Sequence, residues 1–294
     1  MISNDYLLER KLQKENPDLF TRAHDTIVVL QGALESYHSR FPDFTDHSTL
    51  HSMDVLDFSN HLLAEQVDAL SPEECYVLIM SCYLHDAGMG IHQEDFKAFS
   101  KELGLDQPGK ELTEAEEADI IRRYHNEFSG LYIRKYAALF DIPDNLIFPI
   151  VQVSRGHRKT DLFDEKEYPT IKLENGVIRT AALSAVIRLA DEIDIAVDRN
   201  PEILFDTSRY TQQCDIDAFG THESIRNVDI RPDNIVLVVK PKEPRFVDLI
   251  EDLAGKVQET LDYCREVADK MSDLSIFQKR ILVEDWKEAS DTDN

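Results

Sequence analysis

The stretch SPEECYVLIMSCYLHDAGMG, residues 71–90, constrains this chain more than any other. Ser71 stands where a helix N-cap belongs, Pro72 at the first helical position, and Glu74 where a capping-box acid reaches back. The apolar run CYVLIMSCYL follows directly, so the segment predicts a strongly apolar helix. That helix ends on His85 and Asp86, with Gly88 and Gly90 just beyond. A chain that can bury such a helix needs other helices around it. Thr113-Glu114-Ala115-Glu116 is a second capping box and opens a long helix through RRYHNEFSGLYIRKYAALF. Periodicity predicts further helices near residues 15–38, 49–66, 144–154, 178–197 and 244–273.

The texture changes after Pro201. IRNVDI (225–230) and NIVLVVK (234–240) are rich in Val and Ile, and Arg231-Pro232-Asp233-Asn234 between them is turn chemistry, so a β-hairpin is expected. The tail ASDTDN is expected to fray. The fold class is therefore mainly α: a helical bundle with a small C-terminal β-hairpin and a closing helix. We expect residues 1–200 to form the helical domain and residues 201–294 an extension packed on it. No internal repeat, low-complexity tract or linker interrupts this plan.

The chain's 294 residues, 42% of them hydrophobic, suffice for a substantial core. No apolar run approaches the ~20 residues of a membrane-spanning helix, and the mixed-charge N-terminus has no signal-peptide core. The expectation is a cytoplasmic protein without a membrane partner. The four cysteines (Cys75, Cys82, Cys214, Cys264) form no CxxC pair; Cys75 and Cys82 lie seven apart on one helical face and read as core packing. Acidic residues outnumber basic ones 57 to 32, a formal charge of −25, which argues against non-specific nucleic-acid binding. A small phosphorylated partner is still compatible, because bound metal supplies local charge that net charge does not report. A homo-oligomer is also compatible with the chain.

The chemistry-bearing residues are histidines and aspartates set in apolar helical surroundings. Adjacent side chains on a helix diverge, so His85 and Asp86 either meet a metal from different angles or simply end a helix, His85 capping carbonyls and Asp86 opening a turn. In DHSTLHSMDVLDF, His47 and His51 are four apart and share a helical face. Both could ligate, or the first could stay free as a proton donor; surface histidines also recur at that spacing. His125 lies mid-helix in IRRYHNEFSG, and His157 follows an apolar helix in VSRGHRKTD. Asp191 sits in AVIRLADEIDIA, where an unpaired buried carboxylate is costly. Metal coordination offsets that cost, as would a salt bridge to Arg188. Arg122 precedes His125, and Arg155, Arg158 and Lys159 flank His157; in so acidic a chain these are candidate phosphate contacts, or solvated surface balancing nearby acids.

The order H…HD…H…H…D, carried by His51, His85-Asp86, His125, His157 and Asp191, resembles HD-superfamily phosphohydrolases. YLHDAGM and IRLADEIDI are similar to that superfamily's second and last motifs. The two intermediate histidines resemble the two-metal subset, as in HD-GYP and cyclic-nucleotide phosphodiesterase domains, and HSTLHSMDV resembles the opening motif of the latter. No GYP triplet follows His157, which argues against a dedicated cyclic-di-GMP activity. AGMG after the doublet departs from the eukaryotic cyclic-nucleotide enzymes.

The resemblance implies an enzyme: metal-dependent hydrolysis of a phosphoester in a nucleotide-type substrate by a metal-bridged hydroxide, phosphodiester cleavage favoured over triphosphohydrolysis. It implies two divalent ions per chain, Mn, Fe or Mg with Zn as a further candidate. His51, His85, Asp86 and Asp191 would hold the first, with Asp86 reaching a second held by His125 and His157. Asp86 and His47 are then the catalytic candidates, His47 protonating the leaving group. The alternative is a nucleotide-sensing or regulatory module on the same scaffold, without turnover.

Overall fold

A computed structural model of the chain describes residues 6–34, 49–106, 109, 111–158, 160–174, 176–196 and 213–287. They divide into two compact units, one within Met1–Asp191 and Cys264–Ile276, the other within Glu192–Tyr263 and Phe277–Asn294.

The first unit is built around the apolar helix that dominates the sequence. This helix, α4 (Pro72–Leu84), starts on the expected capping box: the Ser71 hydroxyl accepts from the Glu74 amide, and the Glu74 carboxylate accepts from the Ser71 amide. Every residue from Glu74 to Leu84 is buried, so α4 presents no polar face to water and must be surrounded. α1 (Leu7–Glu15), α2 (Pro17–Leu34), α3 (Thr49–Leu63) and α7 (Asp144–Arg155) pack around it. Large side chains such as Leu78, Ile79, Met80 and Leu84 are 0–1% exposed, each contributing roughly 1.5–3 kcal/mol of transfer free energy.

A charge in this core, Glu74, is 0% exposed and fully partnered. Its Oε1 accepts from the Arg179 backbone amide at 2.9 Å and from Arg179 Nε at 2.8 Å, and its Oε2 from Arg179 Nη2 at 2.6 Å. Arg179 Nη1 also reaches Asp273 at 2.5 Å. Removing either member of the Glu74–Arg179 pair would strand a buried charge.

Arg179 closes a hairpin that was not expected, and the helix expected from about residue 178 begins after it. Residues 176–179 are β2 (Gly176–Arg179), paired antiparallel with β1 (Thr170–Leu173), and the following helix α8 runs only over Thr180–Glu192. Val177 and Ile178 are β-branched and favour the pleat, and the Ser71 hydroxyl donates to the Val177 carbonyl at 3.1 Å. Two short helices of this unit were also not expected, as was α9 (Gln213–Ser224) in the other. In α1 only Leu8 and Leu12 carry the core contact, both 0% exposed. In α5 (Gln93–Glu102), Phe96 and Phe99 do so by joining Met89 and Phe128 in one cluster. α6 (Glu114–Tyr136) has its expected capping box, but Tyr124 at φ −122°, ψ 17° breaks the helix just before His125.

The second unit contains α9 (Gln213–Ser224), β3 (Ile225–Ile230), β4 (Asn234–Val239), much of α10 (Arg245–Met271) and β5 (Arg280–Asp285). β3 and β4 form the expected hairpin, with a register shift between Ile225 and Asn227. β5 was not expected; it pairs parallel with β4, making a three-stranded sheet in the order β3-β4-β5. A parallel neighbour needs a long crossover, which α10 supplies. The chain is thus mainly helical with two small sheets. Among the described residues no helix is long and apolar enough to cross a membrane.

Candidate metal centre

Six side chains from five segments of the first unit converge. His51 lies on the first turn of α3, His85 caps α4, Asp86 follows it, His125 lies just past the break in α6, His157 follows α7, and Asp191 lies near the end of α8. His51, His85, Asp86, His125 and His157 are all buried.

Their donor atoms form two groups, each within 4.8 Å: His51, His85 and Asp191, and Asp86, His125 and His157. In the first, His51 Nε2 lies 3.1 Å from His85 Nε2, and Asp191 Oδ1 lies 3.3 Å from the former and 3.8 Å from the latter. In the second, His125 Nε2 lies 2.9 Å from His157 Nε2. Asp86 joins the two. Its Oδ2 is 3.5 Å from His51 and 3.4 Å from His85, while its Oδ1 is 3.4 Å from His125 and 3.5 Å from His157. The divergence of adjacent helical side chains is resolved by the end of α4: Asp86 sits at φ −103°, ψ 9°, already outside the helix.

Three of the rings are held alike. Nδ1 of His85 donates to the Cys82 carbonyl at 2.9 Å, that of His125 to Arg122 at 2.8 Å, and that of His157 to Ser154 at 2.5 Å. Each acceptor is three residues earlier, a carbonyl freed by a helix end or by the break at Tyr124. With its proton on Nδ1, a neutral imidazole presents a lone pair at Nε2. Opposed Nε2 lone pairs 2.9 Å apart, with a carboxylate oxygen at 3.4–3.5 Å, repel unless a proton or cation lies among them. Burial holds His157 well below its ordinary pKa, and the charge of His85 adds to that; burial likewise lowers His125. A proton is therefore disfavoured in this group, and the nitrogen and oxygen donors suit a first-row divalent cation. In the first group burial also opposes charge, but Asp86 and Asp191 outweigh it and raise His85 to about 9. Burial alone would raise Asp191, yet hydrogen bonds from His51 and His85 hold it well below the usual carboxylate range.

The surrounding basic residues separate by role. Arg155 is engaged with Glu127, through two contacts of 2.9 Å, and with Gln152. Arg122 is exposed, 3.5 Å from Asp119. Arg158 is exposed, has no carboxylate at ion-pair distance among the described residues, and lies near enough for its charge to lower the pKa of His125. Arg188, weighed above as a partner for Asp191, directs its guanidinium to the carbonyls of Gly156 at 2.8 Å and Thr160 at 2.9 Å, tying α8 to the loop bearing His157. His47 and Lys159 lie outside the described residues.

Two supporting residues went unrecognised in the sequence. Gly88 donates its amide to Ser129 Oγ at 2.8 Å. A Cβ at Gly88 would stand 2.3 Å from the His125 carbonyl oxygen and 2.6 Å from the Ser129 amide nitrogen. The turn carrying Asp86 thus lies directly against the helix carrying His125. Only the glycine itself signalled this; Ser129 gave no sign.

Two His/Asp groups joined at the HD doublet, in a helical frame, define an HD-type domain. The chain belongs to the HD-CE family, whose family model matches residues 41–272. That span includes all six converging side chains. No curated protein matches the chain.

Proposed function

We propose that this chain is a metal-dependent phosphohydrolase that cleaves a phosphoester of a nucleotide-type substrate, with phosphodiesters favoured over nucleoside triphosphates. One observation carries the reading: two buried donor groups share the carboxylate of Asp86, one oxygen facing each. His51, His85, Asp191 and Oδ2 of Asp86 would hold one divalent ion; His125, His157 and Oδ1 of Asp86 would hold a second. Mn, Fe and Zn suit these donors, and Mg is tolerated. Such ions, when bound, would supply Lewis-acid charge for phosphoryl oxygens and make water acidic enough to ionise near neutrality. A paired site suits a diester, in which attacking and leaving oxygens both need charge compensation.

The chain's own residues orient and protonate. The carbonyls of Cys82, Arg122 and Ser154 fix three rings with Nε2 inward, so little reorganisation is needed to bind a cation. Arg158 is the described cation best placed to meet a substrate phosphate. Four residues before His51 in sequence, His47 is our candidate for protonating the leaving oxygen.

The test is product-resolved chromatography of Mn²⁺-loaded protein incubated with cyclic mononucleotides, cyclic dinucleotides, dNTPs and guanosine tetraphosphate, with Asp86→Ala as control. Cleavage of one class by wild type alone supports the proposal and identifies the bond broken. Equal turnover by Asp86→Ala, or metal content unchanged by that substitution, would remove the site.

A further inference from the structure

A second site lies in the same unit, apart from the six converging residues. α1, α2, α3 and α4 line a partly open cavity of about 170 Å³, similar in size to the ~150 Å³ of engineered apolar cavities that take up benzene. Its wall is Phe20, Ala23 and Ile27 from α2, Met53 from α3, and Ile79 and Tyr83 from α4. His24 and Val28 of α2, both more than half exposed, also line it, and two further residues set polar atoms in its inner wall. Glu9 of α1 lines the cavity at 8% exposure, and its Oε2 has no hydrogen-bond partner among the described residues. Thr49 of α3 also lines it, with its Oγ1 buried and without a partner among the described residues.

An apolar chamber without polar guests would not keep a carboxyl in its wall, because an unpaired buried carboxyl oxygen is costly. The two unpartnered oxygens have one demand in common: each can accept a hydrogen bond. A primary ammonium carries three donors and a positive charge, and can serve both. The rest of the wall is complementary to a ring or short alkyl chain. We propose that this cavity binds a small apolar amine, its hydrocarbon part among Phe20, Ala23, Ile27, Met53 and Ile79 and its ammonium at Glu9 and Thr49. Burial holds the Glu9 carboxyl up at about 7, with His24 pulling the other way, so an ammonium beside it completes an ionisation that burial resists. The formal charge of −25 also favours cations at this surface over anions. The cavity shares α3 and α4 with His51 and His85, so its occupant packs against two helices that carry donors of the metal centre.

The experiment titrates benzylamine, and toluene as its uncharged counterpart, into the full chain and follows binding by ligand-observed NMR. Circular dichroism verifies the fold of each variant. Wild type should prefer benzylamine, and Glu9→Gln should weaken benzylamine by roughly tenfold or more, as expected for one charge-assisted hydrogen bond, while leaving toluene little changed. Ala23→Leu, which fills the chamber, should abolish both. Failure of wild type to bind benzylamine at millimolar concentration would overturn the proposal. So would equal affinity for the two ligands, or benzylamine binding unaltered in a folded Ala23→Leu protein.

Discussion

Replacing Gly88 with alanine tests whether the tight seat of the HD turn sets the geometry of the metal centre. The added Cβ would lie 2.3 Å from the His125 carbonyl oxygen, against about 3.4 Å for ordinary contact. The nearest two atoms belong to the backbone of α6 rather than to a yielding side-chain tip. The turn and α6 must therefore separate by about 1 Å, with Asp86 two residues from the insertion and His125 on the opposing strand of contact. Asp86 Oδ1 stands 3.4 Å from His125 and 3.5 Å from His157, so a displacement of that size is a large fraction of a ligand–ligand spacing. Overpacking of this kind typically costs 1–3 kcal/mol of stability. Misplacement of reacting groups by ~1 Å costs about 10²-fold in rate. Inductively coupled plasma mass spectrometry should find the second ion preferentially lost, since the first group retains Asp191. The melting temperature should fall by roughly 2–10 °C, while the protein stays folded at 25 °C. Gly88→Ala protein with wild-type metal content, turnover and melting temperature would refute the reasoning.

Stripping metal with a chelator should lower Tm by roughly 5–10 °C, the equivalent of ~3 kcal/mol for an ion held about 100-fold above its Kd, and Mn²⁺ should restore it; a Tm indifferent to chelation would mean the opposed imidazoles need no cation. His47→Ala should slow hydrolysis of substrates with poor leaving groups more than that of nitrophenyl esters, and equal losses on both would argue against it as the acid. Glu9→Gln should alter the pH dependence of stability. Burial raises the folded-state pKa of Glu9 from 4.5 to about 7, so the fold carries no penalty below 4.5, acquires one as pH rises through 4.5–7, and above that is less stable by at most on the order of 3 kcal/mol. Denaturant titrations should show the variant gaining on wild type between about pH 4.5 and 7 and levelling off above; a constant difference would place Glu9 in water.

Element by element, the sequence was most legible where a single physical cause acted alone. Both capping boxes formed because Ser71/Glu74 and Thr113/Glu116 settle their helix starts within four residues. The six converging side chains were picked out together by the resemblance of their order, H…HD…H…H…D, to the HD superfamily, since each alone also fitted a helix cap, a surface histidine or a salt bridge. Legibility failed where the deciding contact was distant. The hairpin β1–β2 runs into a helix that was expected to start about two residues earlier than it does, and what marks the boundary is Glu74, 105 positions away, accepting from the Arg179 amide. β5 lacks a turn signal because its partner β4 lies across the whole of α10. The break at Tyr124 has neither proline nor glycine to announce it, yet it frees the Arg122 carbonyl that His125 uses. The cavity beside Glu9 was invisible too, since four helices must be in place before it exists.

The acidity of the chain and its proposed substrate are reconciled within the centre itself. A charge of −25 repels a nucleotide at long range, but screening confines that repulsion to within about 8–10 Å of exposed charges. At the centre the ionisable partners are two carboxylates, Asp86 and Asp191, and four imidazoles that bind a cation only when neutral. Two divalent ions held there would leave a local charge of about +2, in surroundings where five of the six donor residues are buried and screening is weak. Arg158 would add to that field from the exposed side. An acidic exterior around two such ions would disfavour long polyanions, whose extended charge must lie along the surface, and would tolerate a short one that ends at the ions. On the proposed function, selectivity for small phosphoesters over nucleic acid would follow from where the charge is buried rather than from its sum. Raising ionic strength should accordingly change KM for a small nucleotide only modestly; a steep dependence would show that exposed charges, not the centre, govern binding.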